Sequence, residues 1–405
     1  MKRTLLIISL TSLVLLLLGA LSFGSCGRPD GGKNRGGGCS TDTTTIDKTT
    51  NNPIVDKSTK FKYNILIENS GSMKGYFSGN SSSELETIIR DYYDRLTSED
   101  VIEGDTVTLN FINVKKENSN LDIVNYLKSV KTKCTEKYTK IDDILKMSMD
   151  NAAKENVNIV ISDYCFESPD GNLETAQSGI TKLFTNQLKD NDNLSVAILK
   201  YDVAFNGTYF PGSIPCKQSL PVYLWIFGNA DKVKKVLALH VKKAPQQVML
   251  LQKPQDLDFA LSSRNARAIK EKDIIVKNLD KDKRDTYYTF DVKVDLSKVI
   301  LNESELKNKS NYEILSTSSS DYNIESISNS GDEYTYRIST LKPAPGELKI
   351  SFMLNEPEWV ESSNFEGVGV PPKGKTHGIK YLIGGVFDAF HNLANNYFLK
   401  SAAHF

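Results

Sequence analysis

The segment YNILIENSGSM, residues 63–73, decides the fold of this chain. Its first five residues, Tyr63–Ile67, form a short apolar run of the kind that makes a buried strand. Directly after that run come Glu68, Ser70 and Ser72, whose side chains carry oxygen atoms. Because ligands of open α/β sheets bind beyond the carboxyl ends of the strands, this order predicts a strand that leads into a functional loop.

Strand-like and helix-like patterns alternate around this segment, from residue 62 to about residue 243. Short apolar runs predict strands, and apolar residues three or four positions apart predict helices. Continuous apolar strands that alternate with helices imply a parallel sheet covered on both faces. The sequence therefore predicts an α/β domain at residues 61–250, with a doubly wound, mostly parallel sheet of the Rossmann type. Further strands are expected at 107–114, 158–162, 194–199 and 221–227, and helices at 85–96, 121–130, 141–152, 173–188 and 229–241.

Two further element boundaries carry oxygen ligands of the same kind. Thr139 comes just before the strong helical pattern that starts at Ile141, and Asp163 follows the apolar run Asn158–Ser162. Together with Glu68-Asn-Ser-Gly-Ser72, these residues resemble the metal ion-dependent adhesion site of von Willebrand factor A (vWA) domains, whose first motif is Asp-x-Ser-x-Ser. The resemblance implies a vWA-like domain that binds a metal ion through Glu68, Ser70, Ser72, Thr139 and Asp163.

These residue types suit a hard divalent cation, Mg²⁺ or alternatively Mn²⁺ or Ca²⁺. Hydroxyls supply neutral oxygens while Glu68 and Asp163 supply charge, so the ion would stay electropositive enough to accept an acidic side chain from a protein partner. Glu68 departs from the family's Asp, and its extra methylene either lets the carboxylate ligate the ion directly or fills the pocket and weakens the site. A further alternative is that Ser70, Ser72 and Thr139 only cap helices and hydrogen-bond the loop.

The amino-terminal residues 1–26 have the pattern of an export signal. Two basic residues precede an uncharged, leucine-rich stretch that ends at Phe23. Gly24-Ser25-Cys26 follows and resembles the lipobox of bacterial lipoproteins, in which the cysteine is lipidated, so Cys26 is the expected site of lipid attachment. An uncleaved membrane anchor is the alternative. Both interpretations place the chain at the bacterial cell envelope, and Gly27 mildly favours the outer membrane.

Three other segments complete the predicted organisation. Residues 27–60 are rich in small and polar residues, which predicts a flexible tether. Alternating apolar and polar residues at 288–296, followed by short strand-like runs and turns, predict a smaller, sandwich-like β-rich domain at 255–360. Residues 361–405 are predicted as a hinge and an amphipathic helix that starts at Ile379. Docking of this helix on the chain's own domains is favoured over pairing with another protein or lying on a membrane.

Three cysteines lie in the predicted α/β domain. Cys134 precedes Thr139 and Cys165 follows Asp163, so both are expected near the ligand-binding edge of the sheet. An exported chain meets an oxidising compartment in many bacteria, and a Cys134–Cys165 disulfide would join two of the three proposed metal loops. Cys216 competes as a partner, and burial of free thiols is an equal alternative.

Charge and motif content exclude several classes of function. The chain has 50 Lys and Arg against 50 Asp and Glu, for a formal net charge of zero. A nucleic-acid binder needs a basic excess to neutralise phosphates, so nucleic acid is not an expected partner. The histidines have no zinc-ligand spacing, and the motifs of a nucleophile elbow or a phosphate-binding loop are absent from the sequence. No enzymatic activity is therefore predicted.

These patterns lead to one main functional hypothesis. The chain is expected to be a lipid-anchored envelope protein whose vWA-like domain binds a protein partner through a divalent cation. The alternative is a metal-free scaffold that assembles envelope complexes through its carboxyl-terminal helix. A hydrolase that uses a metal-activated water is a remote third hypothesis, because Glu68 and Asp163 are its only candidate bases.

Overall fold

The computed structural model describes residues 61–404 apart from 80–81, 99–104, 151, 153–155, 168–170, 210–212, 254–258, 263–266, 271–273, 278–286, 317–320, 343–347, 353–354 and 395–402. The predicted signal peptide with Cys26, and the tether at 27–60, therefore lie outside the described residues. Within the described ranges, no helix is both long enough and apolar enough to cross a membrane.

A seven-stranded mixed sheet forms the centre of the described structure, in the strand order β3-β2-β1-β4-β6-β5-β7. The strands are β1 (Lys62–Glu68), β2 (Thr106–Ile112), β3 (Lys116–Ser119), β4 (Asn156–Ser162), β5 (Leu194–Tyr209), β6 (Ile214–Asn229) and β7 (Gln247–Gln252). β2 and β4 flank β1 and run parallel to it. The chain thus moves from β1 to β2 on one side and returns to β4 on the other, which creates a topological switch point at the carboxyl end of β1.

Helices cover both faces of this sheet, as a doubly wound fold requires. The helices are α1 (Glu84–Thr97), α2 (Ile123–Lys133), α3 (Ile141–Met149), α4 (Leu173–Asp190), α5 (Ala230–Leu237), α6 (Glu303–Lys307), α7 (Glu358–Ser362) and α8 (Ile379–Ala394). Successive side chains of a strand point to opposite faces. Ile65 and Ile67 accordingly pack with α1, α2 and α5 in one core, whereas Leu66 packs with α3, α4 and α8 in the other. The predicted α/β class and the two-sided covering are confirmed.

The strands predicted at 194–199 and 221–227 are parts of one long hairpin. β5 and β6 each have 16 residues and pair antiparallel along their whole length. β6 also pairs antiparallel with β4, so this half of the predicted mostly parallel sheet is antiparallel, which the sequence did not indicate. The reason is the connection: residues 210–213 are too few for a parallel crossover, which takes about a dozen residues or more. Ser213, at φ 52°, supports the tight reversal.

The carboxyl-terminal helix docks on the chain's own α/β domain, as the sequence favoured. Ile379, Ile383 and Val386 of α8 are fully buried against the second face of the sheet. Gly385 lies against α4 so closely that an added Cβ would sit 2.8 Å from the carbonyl oxygen of Gln177. The predicted hinge is held in place, because Lys200 Nζ donates to the Gly374 carbonyl at 2.8 Å and Gln218 Nε2 donates to that of Pro371 at 2.8 Å.

Smaller sheets follow the central one. The remaining strands are β8 Phe259–Ser262, β9 Arg267–Lys270, β10 Ile274–Lys277, β11 Tyr288–Asp295, β12 Tyr312–Ser316, β13 Tyr322–Ser330, β14 Glu333–Thr340, β15 Leu348–Phe352, β16 Asn364–Phe365, β17 Thr376–His377 and β18 Ala403–His404. A four-stranded antiparallel sheet has the order β13-β14-β11-β8, and β12 pairs antiparallel with β15. The side chains of Tyr312 and Tyr336 join the two sheets, with hydroxyl oxygens 3.0 Å apart in a third core. These antiparallel sheets agree with the predicted smaller, β-rich region.

Candidate functional site

The loop after β1 brings a carboxylate and two hydroxyls together. Glu68 is the last residue of β1, and a 3₁₀-helix begins at Gly71. The Glu68 carboxylate turns back onto the loop, where it accepts hydrogen bonds from the Ser70 backbone N–H and from Ser70 Oγ, each at 2.7 Å. Ser70 Oγ lies 2.9 Å from Ser72 Oγ. The extra methylene of Glu68 thus places its carboxylate among the hydroxyls of the motif.

Asp163 joins Glu68 because their strands are neighbours in parallel register. Ile67 of β1 pairs with Ile161 of β4, so both strands end at the same edge. Glu68 and Asp163 are 0% and 3% exposed. Burial, then repulsion by Asp163, raises the pKa of Glu68 to about 8, although hydrogen bonds from Ser70 and Thr139 oppose this. Burial also raises the pKa of Asp163. The two acids therefore repel each other in a buried environment, and a bound cation would reduce this repulsion.

Neither acid forms an ion pair within the described part of the chain, and no cationic side chain is among the groups that shift the pKa of either. Moreover, Asp163 Oδ2 is buried and has no hydrogen-bond partner. An unpaired buried carboxylate oxygen is costly, because it has lost water without gaining a donor. This oxygen points to a ligand that is not part of the polypeptide.

Thr139 approaches the acids from the loop before α3. Its Oγ1 donates to Glu68 Oε1 at 3.4 Å. Thr139 is half-buried, and the side chain of Tyr138 beside it is 60% exposed. Thr139 is thus the one member of the five proposed residues that is not buried. Neither Ser70 nor Thr139 caps a helix with its side chain, so the capping role considered from the sequence is wrong for these two residues.

Asn113 is a member of the site that the sequence did not reveal. Its Nδ2 donates to the Tyr138 carbonyl at 2.9 Å and lies 3.4 Å from Glu68 Oε1, while its Oδ1 accepts from the Lys140 N–H at 2.8 Å. The sequence predicts a strand that reaches Val114 and so includes Asn113, but β2 ends at Ile112. A polar residue that directly follows the strand beside β1 was the available signal.

Backbone contacts fasten the loop at 134–140 to the first motif. The Gly71 N–H donates to the Glu136 carbonyl at 2.9 Å, and the Glu136 N–H donates to the Asn69 carbonyl at 3.1 Å. Ser70 and Glu136 form an isolated parallel bridge. The loop after β1 and the loop before α3 are therefore connected, and Asp163 follows the neighbouring strand β4 at the same edge of the sheet.

The cysteines near the site are not joined to each other. Cys134 Sγ donates to the Glu68 carbonyl at 3.6 Å, whereas Cys165 Sγ lies 3.6 Å from the hydroxyl of Tyr209. The Cys134–Cys165 disulfide considered from the sequence is not present, because the two side chains contact different partners. Cys216 is also free. Burial raises the pKa of both Cys134 and Cys165, which keeps them protonated.

The backbone after Asp163 is strained. Tyr164 has φ 46°, a conformation that bulky residues rarely adopt. Its side chain is fully buried and stacks on Trp225 with ring centroids 4.7 Å apart. Such strain persists only where the surrounding packing imposes it, and it concentrates at functional sites. Here the stacked ring holds the turn that aims Asp163 at the loop.

The donor set fits a hard divalent cation. Two carboxylates and three hydroxyls offer oxygen only, which Mg²⁺, Mn²⁺ and Ca²⁺ prefer. Among the described residues, no group of three or more His, Cys, Asp or Glu side chains is arranged to hold a metal. No family model, curated protein or solved structure matches the chain.

Proposed function

We propose that this chain is a vWA-like, lipid-anchored protein of the bacterial cell envelope that binds a protein partner through a divalent cation. The observation that carries the proposal is the buried pair Glu68 and Asp163, which forms no ion pair among the described residues and leaves Asp163 Oδ2 without a donor there. A bound cation would neutralise the pair and supply the missing contact. The chain would act as a binding protein and not as an enzyme.

The geometry supports a role in binding because half-buried Thr139 brings one side of the cluster to the solvent. The ion would be held by four buried residues, Glu68, Ser70, Ser72 and Asp163. Half-buried Thr139 would complete the ligand set on the side that faces the solvent. When bound, the cation would supply a positive centre that accepts an oxygen ligand from outside the chain. A partner carboxylate would suit this position, because the cation prefers oxygen ligands and takes six or more of them.

The envelope location is supported by the sequence alone. The lipobox-like segment that ends at Cys26 would attach the chain to a membrane, and residues 27–60 would separate the folded body from the lipid surface. Mass spectrometry of the membrane fraction, compared between wild type and Cys26→Ala, tests the attachment. We expect acylated Cys26 and membrane retention in the wild type, and release of the variant.

Calorimetric titration of the full chain with Mg²⁺ and Mn²⁺ tests the metal site. We expect one ion per chain for the wild type and loss of binding in Ser70→Ala/Asp163→Ala. Ser78→Ala/Asp143→Asn is the matched control, because it removes one hydroxyl and one carboxylate close to the same loops but outside the cluster. No binding by the wild type, or equal binding by the site variant, would refute the metal site.

The partner is tested by a peptide-display selection made in Mg²⁺ and repeated with a chelator. We expect the selected peptides to share an Asp or Glu, to lose binding when this residue is changed to Asn or Gln, and to be released by the chelator. Peptides that bind equally well with and without Mg²⁺ would contradict a role of the cation in partner binding, even if the ion itself binds.

The two other hypotheses receive less support. The scaffold hypothesis assigned partner binding to the carboxyl-terminal helix, but α8 buries its apolar residues in the chain's own core. The hydrolase hypothesis needs a base beside a metal-bound water, whereas Glu68 already accepts two short hydrogen bonds from Ser70. We therefore keep partner binding as the proposed function.

A further inference from the structure

A polar groove lies on the central sheet, away from the candidate metal site. It crosses the amino-terminal halves of β1 and β2, the edge strand β3 and the start of β4, with a volume of about 390 Å³. The metal site lies at the opposite, carboxyl ends of β1 and β4. The volume of the groove is within the range of small-molecule sites, about 300 to 1,000 Å³.

Asparagines form much of this groove. Asn64 of β1, Asn110 of β2 and Asn118 of β3 line it together with Asn156 of β4. Asparagine is depleted in β-strands, so strand propensity does not account for four of them on adjacent strands. Further along the same face, Leu66 and other apolar residues are covered by helices. Such departures from local preference are expected at functional sites.

Hydrogen bonds order the floor of the groove. Asn64 Nδ2 donates to Asn158 Oδ1 at 2.7 Å, and Thr108 Oγ1 donates to Asn64 Oδ1 at 2.6 Å. Asn110 Nδ2 donates to Thr108 Oγ1 at 3.0 Å. Asn64, Asn110 and Asn158 are 3%, 1% and 4% exposed. These side chains form a preorganised network of amide and hydroxyl groups, and preorganisation lowers the cost of binding.

Two lysines supply the charge of the groove. Lys62 and Lys116 line it, and no acidic residue is among its described lining residues. Partial desolvation in the groove and repulsion from the Lys62 ammonium lower the pKa of Lys116. Two ammonium groups of this kind, without a nearby carboxylate, favour an anion between them.

From this arrangement we propose that the groove binds a small, polyhydroxylated anion of the acidic-sugar class. The negative group, a carboxylate or a phosphate, would lie between Lys62 and Lys116. The hydroxyls would exchange hydrogen bonds with Asn118, Asn156 and the amide network, because amides both donate and accept. The inference does not depend on the metal site.

Calorimetric titration of the full chain with glucuronate, glucose 6-phosphate, glucose and inorganic phosphate tests the groove. We expect at least one charged sugar to bind about tenfold more tightly than glucose and than inorganic phosphate, since only it engages both lysines and amides. The preferred charged sugar distinguishes a carboxylate from a phosphate. Failure of both charged sugars to bind at about 10 mM would overturn the proposal.

Variants assign the binding to the groove. Lys62→Ala/Lys116→Ala is expected to lower the affinity for the charged sugar about tenfold or more. Asn118→Ala should weaken the charged sugar but leave inorganic phosphate unchanged. Lys115→Ala is the matched control, because this exposed lysine pairs with Glu117 and does not line the groove. Equal affinities for the wild type and the double lysine variant would refute the site.

Discussion

Glu68 shows how a longer acidic side chain can remain within a cluster of oxygen atoms. The side chain folds back and accepts two hydrogen bonds from Ser70, so the carboxylate stays among the other oxygens. The sequence predicted that Glu68 and Asp163 meet, because both lie at the ends of neighbouring strands. The direction of the Glu68 carboxylate could not be predicted, since it depends on the Ser70 backbone and on Asn113.

The buried acids predict an unusual pH dependence of stability. The pKa of Glu68 is raised from 4.5 to about 8 in the folded chain, so the folded state binds a proton that the unfolded state releases. In a chelator, the unfolding free energy should therefore fall as the pH rises from about 5 to about 8. Saturating Mg²⁺ should weaken this fall. Urea unfolding of the wild type and Glu68→Gln measures it, and equal pH slopes for both would contradict the prediction.

Asn113→Ala should loosen the loop that carries Thr139. The change removes the amide that joins the Tyr138 carbonyl and the Lys140 N–H, and it leaves these groups without that partner. We expect a loss of about 1 to 3 kcal/mol of stability and weaker Mg²⁺ binding. Asn125→Ala, on the exposed side of α2, is the control and should change neither the urea midpoint nor the calorimetric affinity.

At the level of elements, local sequence patterns predicted the position of the strands better than the direction in which they run. The apolar runs located β1, β4, β5 and β6, because buried strands need continuous apolar residues. They could not show that β5 and β6 pair antiparallel, since strand direction depends on the length of the connection. They also missed β3, whose Lys116–Ser119 segment is polar because it is an edge strand.

The packing of α8 on α4 depends on a glycine. A Cβ at Gly385 would lie 2.9 Å from the Cβ of Ile180, too close for any larger side chain. Gly385→Leu should separate the helices and cost about 1 to 3 kcal/mol or more. Gly179→Ala, on α4 but facing open space, should instead stabilise by about 0.5 to 1 kcal/mol. Thermal unfolding compares the two, and a neutral Gly385→Leu would show that the helices do not pack this closely.

For the whole molecule, the sequence predicted helical layers on both faces of the sheet. It did not predict which helix covers which part of a face. Helices were expected on both faces of the sheet, and they are there. Docking of α8 on the chain's own domains was favoured, but the face that it covers could not be derived, because an apolar stripe does not show which surface it contacts. Contacts between Gly385 and α4 show that α8 covers this face, and they join residues about two hundred positions apart.

Deletion of residues 379–405 should therefore prevent folding. Seven apolar side chains of α8 are buried, and each large one contributes about 1.5 to 3 kcal/mol. Their sum is comparable to the whole stability of a typical domain, about 5 to 15 kcal/mol. Circular dichroism and protease resistance of the truncated chain measure the effect. A truncated chain that unfolds cooperatively like the wild type would contradict it.

The position of α8 also sets the order in which the protein can mature. The ribosome makes β1 and α4 long before it makes α8, so the apolar face of α4 has no cover while the chain is being synthesised. The second core can close only after residue 394 has emerged. Until then the nascent chain exposes a surface that promotes aggregation, and a chaperone that shields this surface would aid its maturation. Products of premature termination would lack the same cover and become targets of quality-control proteases.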